Sequence, residues 1–234
     1  MTRLRPILLV HGWAGSFAHT WQRSGIVELL RESGRSVIAY DLPGHGTSPK
    51  PHDPAEYGHL ERHLLERVSQ EQSHSPDGAI DAVGFSLGAI TLLRALVASP
   101  SSFGSVILAG IGDGVFHPHD PRRTEKILAG LEGRAEPGDI TARIFGKIGN
   151  ESHNDPAALA AVLRRPREEP FTERDLSVIP NTVVVTLGDK DFSAPATKLA
   201  AAFPNGRLVG LKGVDHFRTP ESMEFIDLVL TTFG

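Results

Sequence analysis

The sequence predicts an α/β protein built in three layers (α/β/α), with a mostly parallel six-stranded sheet between helices and a small helical cap inserted in it. Three observations carry this. Strand-length runs of Val, Ile and Leu recur along the 234 residues. Residues with helical periodicity follow most of these runs. One stretch, 112–178, breaks the alternation and holds no convincing strand. Runs that are apolar at every position belong to strands buried on both faces, the habit of parallel sheets.

The elements follow in order. Ile7-Leu8-Leu9-Val10 marks the first strand, 6–10. A helix is expected over 17–32, with Trp21, Ile26, Leu29 and Leu30 on its inner face. The second strand, 36–40, ends at Asp41-Leu42-Pro43-Gly44-His45-Gly46. Residues 57–70 place Leu60, Leu64, Leu65 and Val68 at helical spacing. The third strand, 79–84, runs straight into an apolar helix over 87–98, and the fourth strand covers 105–109. The 112–178 stretch is richer in Arg, Glu, Pro and His, with short helices expected at 122–132, 139–148 and 156–164. Strand 182–187, helix 195–203, strand 207–211 and helix 220–232 complete the chain. The predicted organisation is a core of 1–111 and 179–234 with a cap at 112–178. That cap would sit over the carboxyl ends of the strands, where open α/β sheets bind ligands.

Composition narrows the function. Apolar content of 40% and charged content of 22% are ordinary for a globular chain. The net charge of −4, without long runs of one sign, predicts no nucleic-acid partner. There is no cysteine, which excludes disulfides, thiolate catalysis and Cys-type zinc sites. The apolar run before His11-Gly12 is only five residues, against the ~7–15 of a signal-peptide core. No window approaches a membrane span. A cytoplasmic protein without a membrane partner is expected.

Gly84-Phe85-Ser86-Leu87-Gly88 has the form Gly-x-Ser-x-Gly. Alone it is a weak signal. Its placement between an apolar strand and a helix makes it a strong one, because a serine on such a turn is pushed clear of the backbone. Ser86 is therefore the candidate nucleophile. A serine nucleophile needs a base, a group that orients the base, and donors for the oxyanion. His216, on the loop between the last strand and the last helix, is the candidate base. Asp191 is the candidate acid, with Asp189 as rival and Asp113 as a third possibility. The expected oxyanion donors are the Leu87 amide and the Trp13 amide from His11-Gly12-Trp13-Ala14-Gly15. Gly12, Trp13 and Phe217 are candidate substrate contacts.

With Ser, Asp and His in that order, the chain resembles the α/β-hydrolase superfamily, of the small bacterial esterase and enol-lactonase type. The likeness rests on His11-Gly12-Trp13, Asp41 through Ser48, Gly84 through Gly88, and Gly188 through Asp191 with His216. The resemblance implies Ser86 as nucleophile, Asp191 as acid, His216 as base, and Trp13 and Leu87 as oxyanion donors. It makes Asp41–Ser48 a structural turn, with no chemistry assigned to His45. Members usually open with two further strands, so a sheet lacking those two is expected, in the order 2-1-3-4-5-6. Strand 36–40 would then lie at an edge, and both monomer and homodimer remain open.

Blander readings stand beside these. Trp21 is expected in the core, while Phe17, Trp13 and Phe217 fit either core or pocket. His117-Pro118-His119-Asp120 invites a metal, but nothing completes a ligand shell, so no metal is expected. Arg164-Arg165-Pro166-Arg167 reads as cap surface that could meet an anionic substrate. The expected activity is hydrolysis of a small-molecule carboxylic ester, lactone or thioester through an acyl-enzyme, with no cofactor. Carbon–carbon bond hydrolysis, acyl transfer and cofactor-free peroxidase chemistry suit the same residues. A non-catalytic ligand-binding homologue is the alternative of another class.

Overall fold

A computed structural model describes residues 4–234. Its strands are β1 (Ile7–Val10), β2 (Val37–Ile38), β3 (Ile80–Phe85), β4 (Phe103–Ala109), β5 (Val183–Gly188) and β6 (Gly206–Leu211). All pair in parallel, in the order β2-β1-β3-β4-β5-β6. The helices are α1 (Ile26–Glu32), α2 (Leu60–Glu71), α3 (Leu87–Ala98), α4 (Pro121–Leu131), α5 (Ile140–Gly149), α6 (Pro156–Arg164), α7 (Glu173–Ser177), α8 (Thr197–Ala201) and α9 (Met223–Phe233).

The unbroken apolar runs are explained by two cores, one on each face of the sheet. Every residue of β1, β3 and β5 is buried. Successive side chains leave opposite faces of a strand. Leu8, Ala82, Leu108 and Val185 therefore join one core, with Leu64 of α2, Leu92 of α3 and Leu199 of α8. Their neighbours Leu9, Val83, Ile107 and Val184 join the other, with Ile26 of α1, Phe225 of α9, Phe17 and Trp21. This is the three-layer arrangement the sequence predicts. One polar residue interrupts the pattern of β3. Asp81 is buried, accepts the Ser105 amide at 2.8 Å, and pairs with the buried Arg35.

Three local expectations are corrected. The single helix expected over 17–32 is a π-helical turn at Phe17–Gln22 followed by α1. Gly25 breaks it with φ of +80°, a conformation glycine adopts without steric cost. The restart changes which residues face inward, so Leu29 is 38% exposed and Val27 is buried in its place. The strand expected over 36–40 pairs only at Val37 and Ile38, because the chain then enters the Asp41–Ser48 turn. So short an edge offers little template for another strand. The helix expected over 195–203 shortens to α8, because Ala196 is not helical and the Pro195 carbonyl is taken by the Asp113 amide at 2.7 Å.

Helices α4 to α7 all lie between β4 and β5. Aspartates cap the first three: Asp120, Asp139 and Asp155 each accept a first-turn amide. A third apolar cluster, including Leu128, Leu131, Leu159 and Leu163, packs these helices against Ala14 and Trp13. The Trp13 indole donates to the Leu159 carbonyl at 3.1 Å, and Asn154 donates to the Ala14 carbonyl at 3.1 Å. The helical segment is thus fastened to the loop after β1. Among the described residues, no helix is long and apolar enough to cross a membrane.

Candidate active site

Ser86 sits between β3 and α3 with φ of +53° and ψ of −115°. A non-glycine residue rarely adopts positive φ, and such strain persists only where the surroundings enforce it. Here they do. A β-carbon on Gly88 would run into the Val10 and His11 carbonyls, and one on Gly84 would lie 2.7 Å from the Ala89 α-carbon. The helix therefore starts hard against β1 and β3, and the serine is forced outward at the turn.

The loops after β5 and β6 meet this serine. His216 Nε2 lies 2.9 Å from Ser86 Oγ. On the other side of the ring, His216 Nδ1 lies 2.9 Å and 3.0 Å from the two Asp191 oxygens. Asp191 also accepts the Ser193 amide at 2.8 Å. Asp191 is 4% exposed and His216 5%. Burial alone would push the Asp191 carboxyl up. The hydrogen bond and charge of His216, with the Ser193 amide, outweigh it and hold the carboxyl below its usual range. The imidazole packs between Phe85 and Phe192, ring centroids 5.1 Å and 4.2 Å away.

The rival carboxylates have other partners. Asp189 is exposed and accepts the Gly213 amide at 2.8 Å. Asp113 accepts the Leu199 amide at 2.8 Å, capping α8. Neither joins the hydrogen-bonded chain through His216.

The loop after β1 passes beside the serine. A β-carbon on Gly12 would lie 3.0 Å from the Phe85 ring and 3.3 Å from the Ser86 β-carbon, so glycine lets the backbone come this close without crowding. The Gly12 carbonyl is turned toward His11 Nδ1 at 2.8 Å and the Gly15 amide at 3.1 Å. In a trans peptide the next N–H points the opposite way. The Trp13 amide is therefore directed away from these partners. The Leu87 amide opens helix α3, where N–H groups lack intrahelical acceptors. Trp13, Ser86, Leu87 and His216 line one cavity of about 460 Å³.

The sequence missed several residues of this cavity. Ile90, Arg123, Phe145 and Phe192 also line it. Phe192 directly follows Asp191, which was its available signal; Arg123 and Phe145 come from α4 and α5 and had none. Arg165 and Arg167 line it too, whereas Arg164 faces away and pairs with Glu132. Phe217 and Gly12, expected at the substrate, line a separate cavity of about 160 Å³ that shares Trp13. His117, His119 and Asp120 lie on the larger cavity without converging on one point. His119 Nε2 pairs with Thr124 Oγ1 at 2.6 Å, and Asp120 caps α4. Among the described residues, the ligand-type side chains that do converge are His59, Glu61 and Glu168.

Comparison with known proteins agrees with this architecture. The sequence profile of the alpha/beta hydrolase family matches residues 7–227. The esterase Rv0045c of Mycobacterium tuberculosis is 30% identical over 155 residues, 65% of this chain and 49% of that protein. The match thus spans about half the length of that relative. Among solved structures, the 2-hydroxy-6-oxo-6-phenylhexa-2,4-dienoate hydrolase of Rhodococcus sp. strain RHA1 superposes with a TM-score of 0.72 at 20% identity, covering 98% of this chain and 90% of that one. Est816, described as an N-acyl homoserine lactone degrading enzyme, superposes with a TM-score of 0.73 at 19% identity, covering 98% and 93%. The family profile spans the sheet, the elbow serine and the histidine loop alike, and on that match the chain belongs to the alpha/beta hydrolase family.

Proposed function

We propose that the protein is a serine hydrolase that cleaves a carboxylic ester, lactone or thioester of a small molecule through an acyl-enzyme. One observation carries the reading: Ser86, His216 and Asp191 form a continuous hydrogen-bonded chain, with both contacts at 2.9 Å. A hydroxyl, an imidazole and a buried carboxylate in that order are what general-base activation of a serine requires.

The steps use side chains and water. Ser86 Oγ attacks the carbonyl carbon while His216 Nε2 takes its proton. The carbonyl electron pair moves onto oxygen, where the Trp13 and Leu87 amides receive it. Asp191 keeps the Nδ1 proton in place and stabilises the imidazolium. The intermediate collapses, the bond to the leaving oxygen or sulfur breaks, and His216 protonates that group. Water, deprotonated by His216, then attacks the acyl-enzyme and releases the acid and free Ser86. In this reading residues 112–178 act as a cap that shapes the cavity. The esterase name of the Mycobacterium tuberculosis relative supports ester chemistry.

The test is intact mass after treatment with a fluorophosphonate, on wild type and Ser86→Ala together. One adduct on wild type and none on the variant is expected. A folded wild type that takes no adduct would refute the reading and favour a ligand-binding homologue.

A further inference from the structure

On the outer surface of the helical segment Arg122 pairs with Asp120, Arg134 with Glu125 and Arg164 with Glu132, while exposed Arg143 and Arg174 have no ion pair among the described residues. Three further arginines stand on the cavity. Arg123, Arg165 and Arg167 line it beside Ser86, and among the described residues none has a carboxylate within 4.0 Å. The hydrogen bonds they do make go to neutral oxygens. Arg165 donates to the Val162 carbonyl at 2.7 Å, and Arg167 to Thr124 Oγ1 at 2.9 Å and the Leu163 carbonyl. The Arg123 side chain makes none among the described residues; its guanidinium lies 4.7 Å from the Phe192 ring centroid.

This concentration of charge is local. The chain as a whole carries −4. Asp120 is the carboxylate on the cavity lining, and it is already taken by Arg122. The three cations act on one region. Burial, then the charge of Arg167, outweighs the Glu168 carboxylate and lowers Arg165 to about 10. Burial, then Arg167, Arg165 and Arg123, keeps His119 below its usual value. Like charges gathered in a partly buried cavity repel one another and lose hydration, unless an anion completes the site. Phe192 places this charge beside the chemistry, since its ring packs on both Arg123 and His216.

We propose that the cavity takes a substrate with a second, anionic group besides the scissile carbonyl, a carboxylate or a phosphate, held by Arg123, Arg165 and Arg167. The guanidinium fork suits both groups, because each offers two oxygens in one plane. The proposal rests on the serine-hydrolase reading of Ser86. Half-esters of dicarboxylic acids and phosphate-bearing esters or lactones are the substrate class it names.

The test compares p-nitrophenyl hemiglutarate and its phosphonate counterpart with neutral p-nitrophenyl valerate. Wild type should favour at least one anionic ester by kcat/KM, and salt should erode the preference. Arg123→Gln should lower the anionic-to-neutral ratio by about 10- to 100-fold, the cost of losing a hydrogen bond to a charged group. Arg134→Gln, on the outer surface, should leave the ratio alone. The Arg123 side chain makes no hydrogen bond among the described residues, so its loss should not unfold the chain; Arg165→Gln and Arg167→Gln follow with circular dichroism as a check. Neutral ester turned over without anionic preference, or a ratio unmoved in Arg123→Gln, would overturn the inference and leave the hydrolase reading standing. If no ester is turned over, titration of glutarate and 4-phosphonobutyrate into Ser86→Ala decides the matter by calorimetry. Binding lost in the added Arg123→Gln background supports the anion site, and no binding of either refutes it.

Discussion

Exchanging Asp191 for Asn separates the two aspartates of one loop by their geometry. Asp191 Oδ1 accepts the Ser193 amide at 2.8 Å and lies 3.0 Å from His216 Nδ1, while Oδ2 lies 2.9 Å from the same nitrogen. In Asp191→Asn the side-chain oxygen must stay on Ser193, or two N–H groups would oppose each other. That flip would leave buried donors unsatisfied at about 1–3 kcal/mol. The new NH₂ then takes the shorter contact to Nδ1 and favours the tautomer in which Nδ1 accepts. His216 would carry its proton on Nε2, facing Ser86, and could not take the serine proton. The expected loss in kcat is about 10⁴-fold, as for the equivalent exchange in serine proteases. In Asp189→Asn the amide oxygen can still accept from Gly213, now bonded at 2.8 Å to an exposed carboxylate. The expected change is under about threefold, since surface substitutions seldom exceed about 0.5 kcal/mol. Initial rates on an activated ester, with urea midpoints to check folding, read both variants. A greater loss in Asp189→Asn, or an Asp191→Asn enzyme within tenfold of wild type, would refute the assignment.

Gly88→Ala should destabilise the fold by about 1–3 kcal/mol or more, because its methyl meets the Val10 and His11 carbonyls; urea denaturation reads the loss. Asp81→Ala should cost about 3–5 kcal/mol by the same assay, because Arg35 would be left buried without its carboxylate. Stability should fall with acid well before the carboxylates titrate. Burial holds His11 below its usual value of 6.5, and burial with the His11 charge takes His45 to about 3. The unfolded chain takes these protons more readily than the folded one, so the stability is whole above pH ~6.5 and shrinks below it, by about 1.4 kcal/mol per unit for His45 down to about pH 3, with His11 adding in the same direction. Urea midpoints at pH 7 and 5 that coincide would contradict this.

The parts that were legible in the sequence are those where local chemistry and global position make the same demand. Val, Ile and Leu at every position of β1 and β5 have no role except burial on both faces. Gly84, Ser86 and Gly88 are legible because one tight turn needs all three at fixed spacing. Asp191 and His216 followed from topology, since the loops after β5 and β6 open at the same end of the sheet as Ser86. The rest depends on packing that has no period. Leu29 misled because periodicity cannot see the break at Gly25. Arg123, Phe145 and Arg165 reach the cavity only through the way α4, α5 and α6 fold over the Trp13 loop. Phe217 sits next to the histidine and packs against Phe145 and Phe192, yet the cavity it lines is the smaller one.

One motif acquires a role from the structure that the resemblance did not give it. The Asp41–Ser48 turn is held from within, since Asp41 accepts the Phe17 and Thr47 amides at 2.7 and 2.8 Å. Its next residue, Leu42, donates its amide to His11 Nε2 at 3.1 Å. That bond makes Nε2 an acceptor and leaves the proton on Nδ1, which donates to the Gly12 carbonyl at 2.8 Å. The Gly12 carbonyl is thereby held toward His11, and the Trp13 N–H of the same peptide is held toward the opposite side. A charged His11 would set a proton against the Leu42 amide, so the relay works only with the neutral ring that burial enforces. The turn around Asp41 and the loop after β1 are some thirty residues apart, yet they form one device. It fixes the orientation of a backbone amide that, in the proposed mechanism, has to be in place before the carbonyl oxygen becomes charged.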